Sequence, residues 1–450
     1  MKNTGRKQRA YLIPGIIALI IIAIAGYWYR GFIRLKMLSI LHSFDDLPEV
    51  VDEERQHPPP GSWYRIKTDI PYDDSLTESE REQIEMIQSL GYLSGYEEVP
   101  LEMGVVVHDT SKACPGYNIL ISGHSPEVFL MDMNGEVVHS WFNSEVTLDN
   151  LWPDTRDEEV IYDTWRRVIL ADNGDLTVLI RGGGIVKLDR DSNILWTTEG
   201  IAAHHDLDID ENGNLYTLGR EIHINEKYCS EESIVEDYIC IFDSLGNEIR
   251  RISTYDVLDN SIYAPVLNRT GPGGDRLHCN AVEYIRPEIL PDDYNGPLRP
   301  GTVLLSLSLV CGVDLEEESV YWAESSFWAG QHDPNILPDG TILVFDNQGR
   351  HEESTVLQFD PDTRTSLWSY TGTDEHPFYS RLMGSCHRLP NGNTLIIEST
   401  MGRAFEVTPD EETVWEYFNP HRAGDNNEFI AVLFDVVRIP AENVDTWLGQ

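Results

Sequence analysis

The sequence predicts an all-β chain: a six-bladed β-propeller preceded by an N-terminal transmembrane helix and a short helical linker. Three observations carry that prediction. Beyond about residue 100, short apolar runs alternate with turn signals and no long helical period is seen. Within that text one phrase recurs: an apolar strand, an acidic turn, then a strand ending in Trp. At the other end, residues 11–29 (YLIPGIIALIIIAIAGYWY) form one uncharged apolar run.

In chain order, residues 1–10 are a basic cytoplasmic N-terminus carrying Lys2, Arg6, Lys7 and Arg9. This flank orients the anchor at 11–29, which is just long enough to span a lipid bilayer. Ala23-Ile24-Ala25 also offers a signal-peptidase-like site, and either reading exports everything after about residue 35. Residues 30–100 read as an irregular acidic linker broken at Pro58-Pro59-Pro60-Gly61. Thr77 to Glu80 form a capping box that opens a short helix through Ser89, stopped by Gly91.

Residues 101–450 are the propeller. The Trp phrases end at Trp141, Trp196, Trp322, Trp368 and Trp415, and a sixth copy carries Arg250 in place of Trp. Successive gaps are 55, 54, 72, 46 and 47 residues, so six copies of roughly four strands each are expected. The long gap holds an insertion at Arg286–Pro300. An inner hairpin precedes four of the Trp phrases, turning at Asn173-Gly174, Asn212-Gly213, Asp339-Gly340 and Asn391-Gly392. The Trp side chains are expected to wedge between blades. Residues 428–438 supply either the closing strand or an extra element beside blade six.

Composition excludes one partner class. Asp and Glu number 76 against 33 Lys and Arg, a net charge of −43, which leaves no basic footprint for nucleic acid. The six cysteines form no CxxC. Cys229 and Cys240 are close enough in sequence to clip a loop, whereas Cys279, Cys311 and Cys386 sit in apolar strand text and read as buried thiols.

The hairpin glycines give a common origin for a site. Eight residues before them stand Arg166, His205, His332 and Gly384, and Leu277-His278-Cys279-Asn280 opens the blade that lacks the dipeptide. The first strand of each blade lines the central channel, so Arg166, His205, His278 and His332 converge at one mouth. For any single His, satisfaction of nearby backbone groups is the competing reading. A metal site is a second rival, opposed by the absence of HxH or HExxH and by an Arg in the ring. A guanidinium among imidazoles favours an anion. The expected result is an acidic shell around a small basic pocket.

At this point the chain resembles the bacterial arylsulfotransferases, enzymes that work without a nucleotide sulfate donor. The resemblance lies in His204-His205-Asp206, His278-Cys279-Asn280, Gln331-His332-Asp333, Phe345-Asp346-Asn347 with Arg350, and LPNGNTLIIESTMGRAFEVT at 389–408. It covers about residues 105–420. It implies a six-bladed propeller held in the periplasm by the inner membrane. It implies sulfuryl transfer from an aryl sulfate to a phenol through a sulfohistidine, with no cofactor and no metal. By resemblance His332 is the nucleophile and His205 and His278 are further catalytic histidines. Asn280 completes the His-x-Asn pair that binds the sulfate oxygens; Arg166, placed by the shared register, and His204 are the further substrate-binding candidates. One departure stands out. The family carries an Arg on the strand after the His-x-Asn pair, but LLSLSLVCGV (304–313) offers Leu309 there. Either Arg166, Arg181 or Arg388 takes its place, or the chain is a divergent relative. The alternatives are a non-catalytic exported scaffold of the same family and a PQQ-type quinoprotein, the latter supported by a single repeat, FDPDTRTSLWSY.

Overall fold

The computed structural model describes residues 60–65, 102–155, 162–268, 274–348, 353–373, 377–424 and 427–449. The apolar run at 11–29, the helix expected at 77–89 and Arg350 lie outside the described residues. Among those described, no helix is long and apolar enough to cross a membrane.

Six antiparallel sheets make the blades, and in blades 2 to 5 four strands lie in sequence order from channel to rim. Blade 2 runs Trp165–Leu170, Leu176–Ile180, Ile185–Leu188 and Ile194–Thr197. Blades 3, 4 and 5 begin at His204–Ile209, Ala281–Tyr284 and Gln331–Ile336, and blade 6 at Ser385–Arg388. Blade 1 closes the ring. Its inner strand is the C-terminal Leu433–Ile439, paired with Tyr117–Ser122. This settles the choice at 428–438: the second half is the closing strand, while Phe429–Ala431 joins a small three-stranded sheet with Trp63–Arg65 and Arg422–Ala423. A strand therefore forms inside the stretch read as linker. A short C-terminal helix, Ala441–Leu448, which the sequence reading did not anticipate, packs Trp447 against Trp141. Blade 6 gains a fifth, outer strand, Gly104–His108.

The expected hairpins form at all four dipeptides, and Gly174, Gly213, Gly340 and Gly392 each adopt φ between 80° and 89°. The Trp wedges also form. Trp141 Nε1 donates to the Gly174 carbonyl of the next blade at 3.2 Å, and Trp368 Nε1 to that of Pro409 at 3.1 Å. Trp415 Nε1 crosses the closure to Met133 at 3.0 Å. Where Arg250 replaces Trp, the side chain still reaches the next blade, pairing with Glu318 at 3.0 Å and Glu316 at 3.4 Å.

The inner strands have a free edge toward the channel, so their N–H groups need partners. Carboxylates of the preceding blade supply them. Asp206 accepts from Val282 N (2.9 Å), Glu283 from Ile336 N (2.9 Å) and Asp333 from Cys386 N (3.0 Å).

All six cysteines are free. The clip between Cys229 and Cys240 is ruled out, because both lie on the single extended strand Cys229–Phe242. Eleven residues of strand separate their Cα atoms by far more than the roughly 7 Å limit for a disulfide. Cys279, Cys311 and Cys386 are buried thiols, as expected.

Candidate active site

Each inner strand opens with a kink. Pairing with the second strand is bulged between Trp165 and Arg167, His204 and Leu207, His332 and Asn335, and Leu433 and Asp435. His205, His278 and Asp333 adopt φ of 60°, 50° and 47°, a left-handed conformation that costs a side-chain-bearing residue about 1–3 kcal/mol. The kinks turn consecutive residues into the channel. Gly384 occupies the same register with φ 141°, and a Cβ there would lie within the ring of Phe345. Glycine at this position lets the strand entrance pack directly on the buried Phe345 ring.

Arg166, Arg167, His205, Asn280, His332, Asp333 and Gly384, with Met383 and Phe434, line one narrow pocket with a cavity volume of about 20 Å³. His278 adjoins it, its ring centroid 5.6 Å from that of His205. His204 lies behind, its Nδ1 2.7 Å from Nδ1 of His205. The structure thus brings all six sequence-derived candidates together. The alternative that these histidines serve only backbone groups applies instead to the Asp beside them, since Asp206 and Asp333 cap the neighbouring strand.

The electrostatics divide the histidines. Burial holds His332 down to about 4, with the charges of His278 and Arg166 adding to the effect. Its imidazole is therefore neutral near pH 7. Its Nδ1 faces the Gly330 carbonyl at 3.4 Å, which leaves Nε2 as the lone pair. Burial also pushes His205 well below the ordinary imidazole value. His278 goes the other way: its hydrogen bond to Asp275, 2.6 Å from Nδ1 to Oδ2, raises its pKa. Its side chain is 56% exposed, so a cation there is affordable and accessible. Arg166 has no carboxylate within ion-pair distance among the described residues. Its neighbours include Met383 Sδ at 3.0 Å and the Phe434 ring at 4.9 Å. Burial, together with Arg181 and Arg167, pulls its pKa down to about 9, so an arriving anion would relieve it. Asn280 donates Nδ2 to the Gln331 carbonyl at 2.9 Å, tying the His332 strand to blade 4, while its Oδ1 has no hydrogen-bond partner.

Below these residues lies a hub that sequence reasoning missed. Arg167 donates Nε to Asp206 at 2.9 Å and bonds Asp333 and Asp435 through its two terminal nitrogens. Its four members come from four blades, each directly following a pocket residue. Burial alone would lower Arg167, but the three carboxylates raise its pKa well above the usual value. Burial would raise Asp435, yet Arg167 and His387 hold it far below the carboxylate range. The uniformly basic pocket expected from the sequence is thereby corrected. The basic groups at the mouth are Arg166 and His278, and burial keeps His205 and His332 neutral. In the floor Arg167 and His387 face Asp206, Asp333 and Asp435, with burial raising the Asp206 carboxyl. The hub was readable in one respect: an acid or Arg follows the register residue in Arg166-Arg167, His205-Asp206 and His332-Asp333.

Of the three arginines considered as replacements for the family Arg, Arg166 lines the pocket and Arg181 lies near enough to act on it. Arg388 does not. It bonds Gln358 and the Gly392 carbonyl and covers Trp368, on the flank between blades 5 and 6. Leu309 is buried in the turn after residues 303–306 and lines a separate groove with Tyr263 and Val266.

No curated protein matches the chain significantly. Among solved structures, a Bacteroides caccae protein of unknown function aligns with TM-score 0.46 at 12% identity, over 72% of this chain and 98% of its own. The Dos1 propeller aligns with TM-score 0.38 at 10% identity, over 68% and 74%. Hydrazine synthase of Kuenenia stuttgartiensis aligns with TM-score 0.33 at 12% identity, over 56% and 69%. At such scores none of the three bears on what this chain does. A family model does: the arylsulfotransferase (ASST) model matches residues 167–420, more than half of the chain, and that span contains five of the six pocket candidates. By that match the chain belongs to the arylsulfotransferase family.

Proposed function

We propose that this protein moves a sulfuryl group from an aryl sulfate to a phenol through a sulfohistidine on His332. The observation that carries the proposal is a neutral, buried His332 beside an Arg166 with no carboxylate partner among the described residues in one pocket, with His278, whose hold on a proton Asp275 strengthens, adjoining it. A nucleophilic imidazole must keep its lone pair, and a leaving phenolate must receive a proton. In the first half-reaction His332 Nε2 attacks sulfur and the bond from sulfur to the aryl oxygen breaks. The aryl oxygen then takes the Nε2 proton of His278. Arg166, Asn280 and His205 surround the sulfuryl oxygens. In the second half the acceptor phenol gives its proton back to His278 and its oxygen attacks sulfur. The bond from sulfur to His332 breaks, returning the electron pair to Nε2. The second half is the chemical reverse of the first, so one residue serves as both acid and base.

The working location proposed is the periplasm, with the domain held to the inner membrane by residues 11–29 and joined to it by the helical linker. The uncharged run and its basic flank support that placement.

The test uses the segment without residues 1–35, an aryl sulfate whose phenol is coloured, and an acceptor phenol. Donor alone should leave one sulfo group per chain, detected by mass spectrometry, and acceptor should remove it. His332→Ala should lose both adduct and turnover, a drop of at least about 10³-fold by comparison with loss of other catalytic nucleophiles. Turnover that survives this change sinks the assignment. No turnover and no adduct across a panel of donors favours the scaffold alternative.

A further inference from the structure

Behind His205 lies a buried pair that the transfer chemistry above does not use. Asp237 and His204 are 1% and 3% exposed. His204 Nε2 stands 3.0 Å from Asp237 Oδ1, off the line of a good hydrogen bond, and neither atom has another hydrogen-bond partner among the described residues. On its far side His204 Nδ1 is 2.7 Å from His205 Nδ1. The second oxygen of Asp237 accepts from Cys279 N at 3.0 Å, between His278 and Asn280. One carboxylate is thus anchored to blade 4 and aimed at the histidine pair of blade 3.

The protons on this chain are constrained. A carboxylate facing His204 Nε2 requires a proton there. If His204 is neutral, its Nδ1 is a lone pair, so His205 must carry its proton on Nδ1 and turn a bare Nε2 toward the pocket. A bare nitrogen repels a sulfuryl oxygen. One added proton reverses this. It lands on His205 Nε2, the Nδ1 proton of His205 passes to His204 Nδ1, and His204 becomes an imidazolium beside Asp237. His205 stays neutral but now presents a donor.

We propose that Asp237 and His204 are positioning residues forming a buried proton switch: binding a sulfate-type anion in the pocket takes one proton from solution onto this pair and turns His205 Nε2 into a hydrogen-bond donor. The inference rests on the pocket being a sulfuryl site. The charged and titratable groups around the pair are consistent with an anion-triggered switch. Arg220 Nε lies 3.9 Å from Asp237, Asp275 pairs with His278, and Arg166, His278 and His332 act on His205 from blades 2, 4 and 5. Without an anion, Arg166, Arg220 and a protonated His278 oppose a further positive charge. With one bound, the opposition is cancelled.

Asp237→Asn gives a distinctive test. The Asn carbonyl keeps the Cys279 N–H, so its NH₂ must face His204 Nε2. His204 then carries its proton on Nδ1, and His205 presents Nε2–H with no added proton. Titration calorimetry with inorganic sulfate, run in buffers of different ionisation enthalpy at pH 7.5, counts protons taken up. The wild type should take up as much as one proton more than Asp237→Asn. Its affinity should fall by up to tenfold per pH unit between 6 and 8 relative to the variant. Asp237 also helps raise the pKa of His278, so both proteins are compared in a His278→Gln background, where that side chain takes up no proton. Sulfate binding with equal proton counts and equal slopes overturns the switch and leaves the transfer proposal standing. Absence of sulfate binding in both proteins overturns the pocket reading itself. Should Asp237→Asn not fold, the wild type alone decides. The imidazole ¹⁵N signal of His205, identified by its loss in His205→Gln, should change from a bare Nε2 to Nε2–H on adding sulfate. An unchanged signal refutes the switch.

Discussion

His278 and His332 face the same pocket with opposite proton demands, and the protein meets them by burial on one side and a carboxylate on the other. The pH behaviour of the donor half-reaction follows. His332 is held down to about 4, so the fraction with a free lone pair grows as pH rises through about 4. His278 is raised by Asp275 above the ordinary imidazole value of about 6.5, so its cation is lost only as pH climbs through that raised value. Sulfo-adduct formation should therefore have an acid limb near 4 and an alkaline limb above the usual imidazole range. Asp275→Asn removes the bond that raises His278 and should move the alkaline limb to lower pH while leaving the acid limb in place. Single-turnover measurements from pH 3.5 to 9 check this, and an unmoved alkaline limb would show that Asp275 does not set the acid. At this scale the sequence was informative about which residues meet and silent about their charge. The register of His205 and His332 is written in the hairpin glycines. Asp237 meets His204 across the strands of one blade, more than thirty residues apart in sequence, which leaves no local signature, although two acids inside the apolar strand text IVEDYICIF were a clue that a carboxylate is buried there. Asp275, three residues before His278, was in reach of a local reading that passed it over.

Blades are joined by one side chain per outer strand, and the chemistry of that side chain differs around the ring. Trp415 is fully buried and bonds across the closure between blades 6 and 1. Arg250 holds the equivalent joint between blades 3 and 4 through Glu318 and Glu316, the latter 92% exposed. Removing a buried Trp side chain costs about 3–5 kcal/mol through lost transfer energy and an unfilled cavity. An exposed ion pair contributes about 0–1 kcal/mol. Trp415→Ala should therefore lower the unfolding free energy by several kcal/mol, and Arg250→Ala by less than about 1 kcal/mol. Urea melts of both variants measure the difference, and comparable losses would refute the contrast. The Trp ruler revealed the repeat because a wedge between blades must be large and flat. It could not reveal the closing strand, because Leu433–Ile439 pairs with a strand more than 300 residues earlier. Nor did it reveal the C-terminal helix, which is only eight residues long.

At the scale of the whole molecule, two fields act on an incoming sulfate ester. The chain as a whole carries −43, and at about 10 mM salt that field reaches roughly 30 Å, against about 8 Å at physiological ionic strength. The pocket offers Arg166 and His278, with Arg220 and Arg181 close by, but directly beneath them three carboxylates surround the single guanidinium of Arg167. With Arg167 and His387 paired to those carboxylates, the floor adds no net positive field to the mouth. Capture of the donor is thus opposed by the long-range field and favoured only within a few ångströms, where desolvated hydrogen bonds are little affected by salt. The second-order rate constant for sulfo-adduct formation should consequently rise when salt increases from 10 to about 150 mM. A neutral acceptor phenol, attacking the preformed adduct, should show no such rise. If instead the donor rate falls with salt, the mouth projects a net positive field and the hub does not offset it. Replacing Asp206 or Asp435 would distort the channel, so the cleaner control is at the surface. Neutralising exposed Glu316 and Glu411, which are not among the residues lining the sulfuryl pocket, should shift the donor rate slightly upward at low salt and leave it unchanged at high salt.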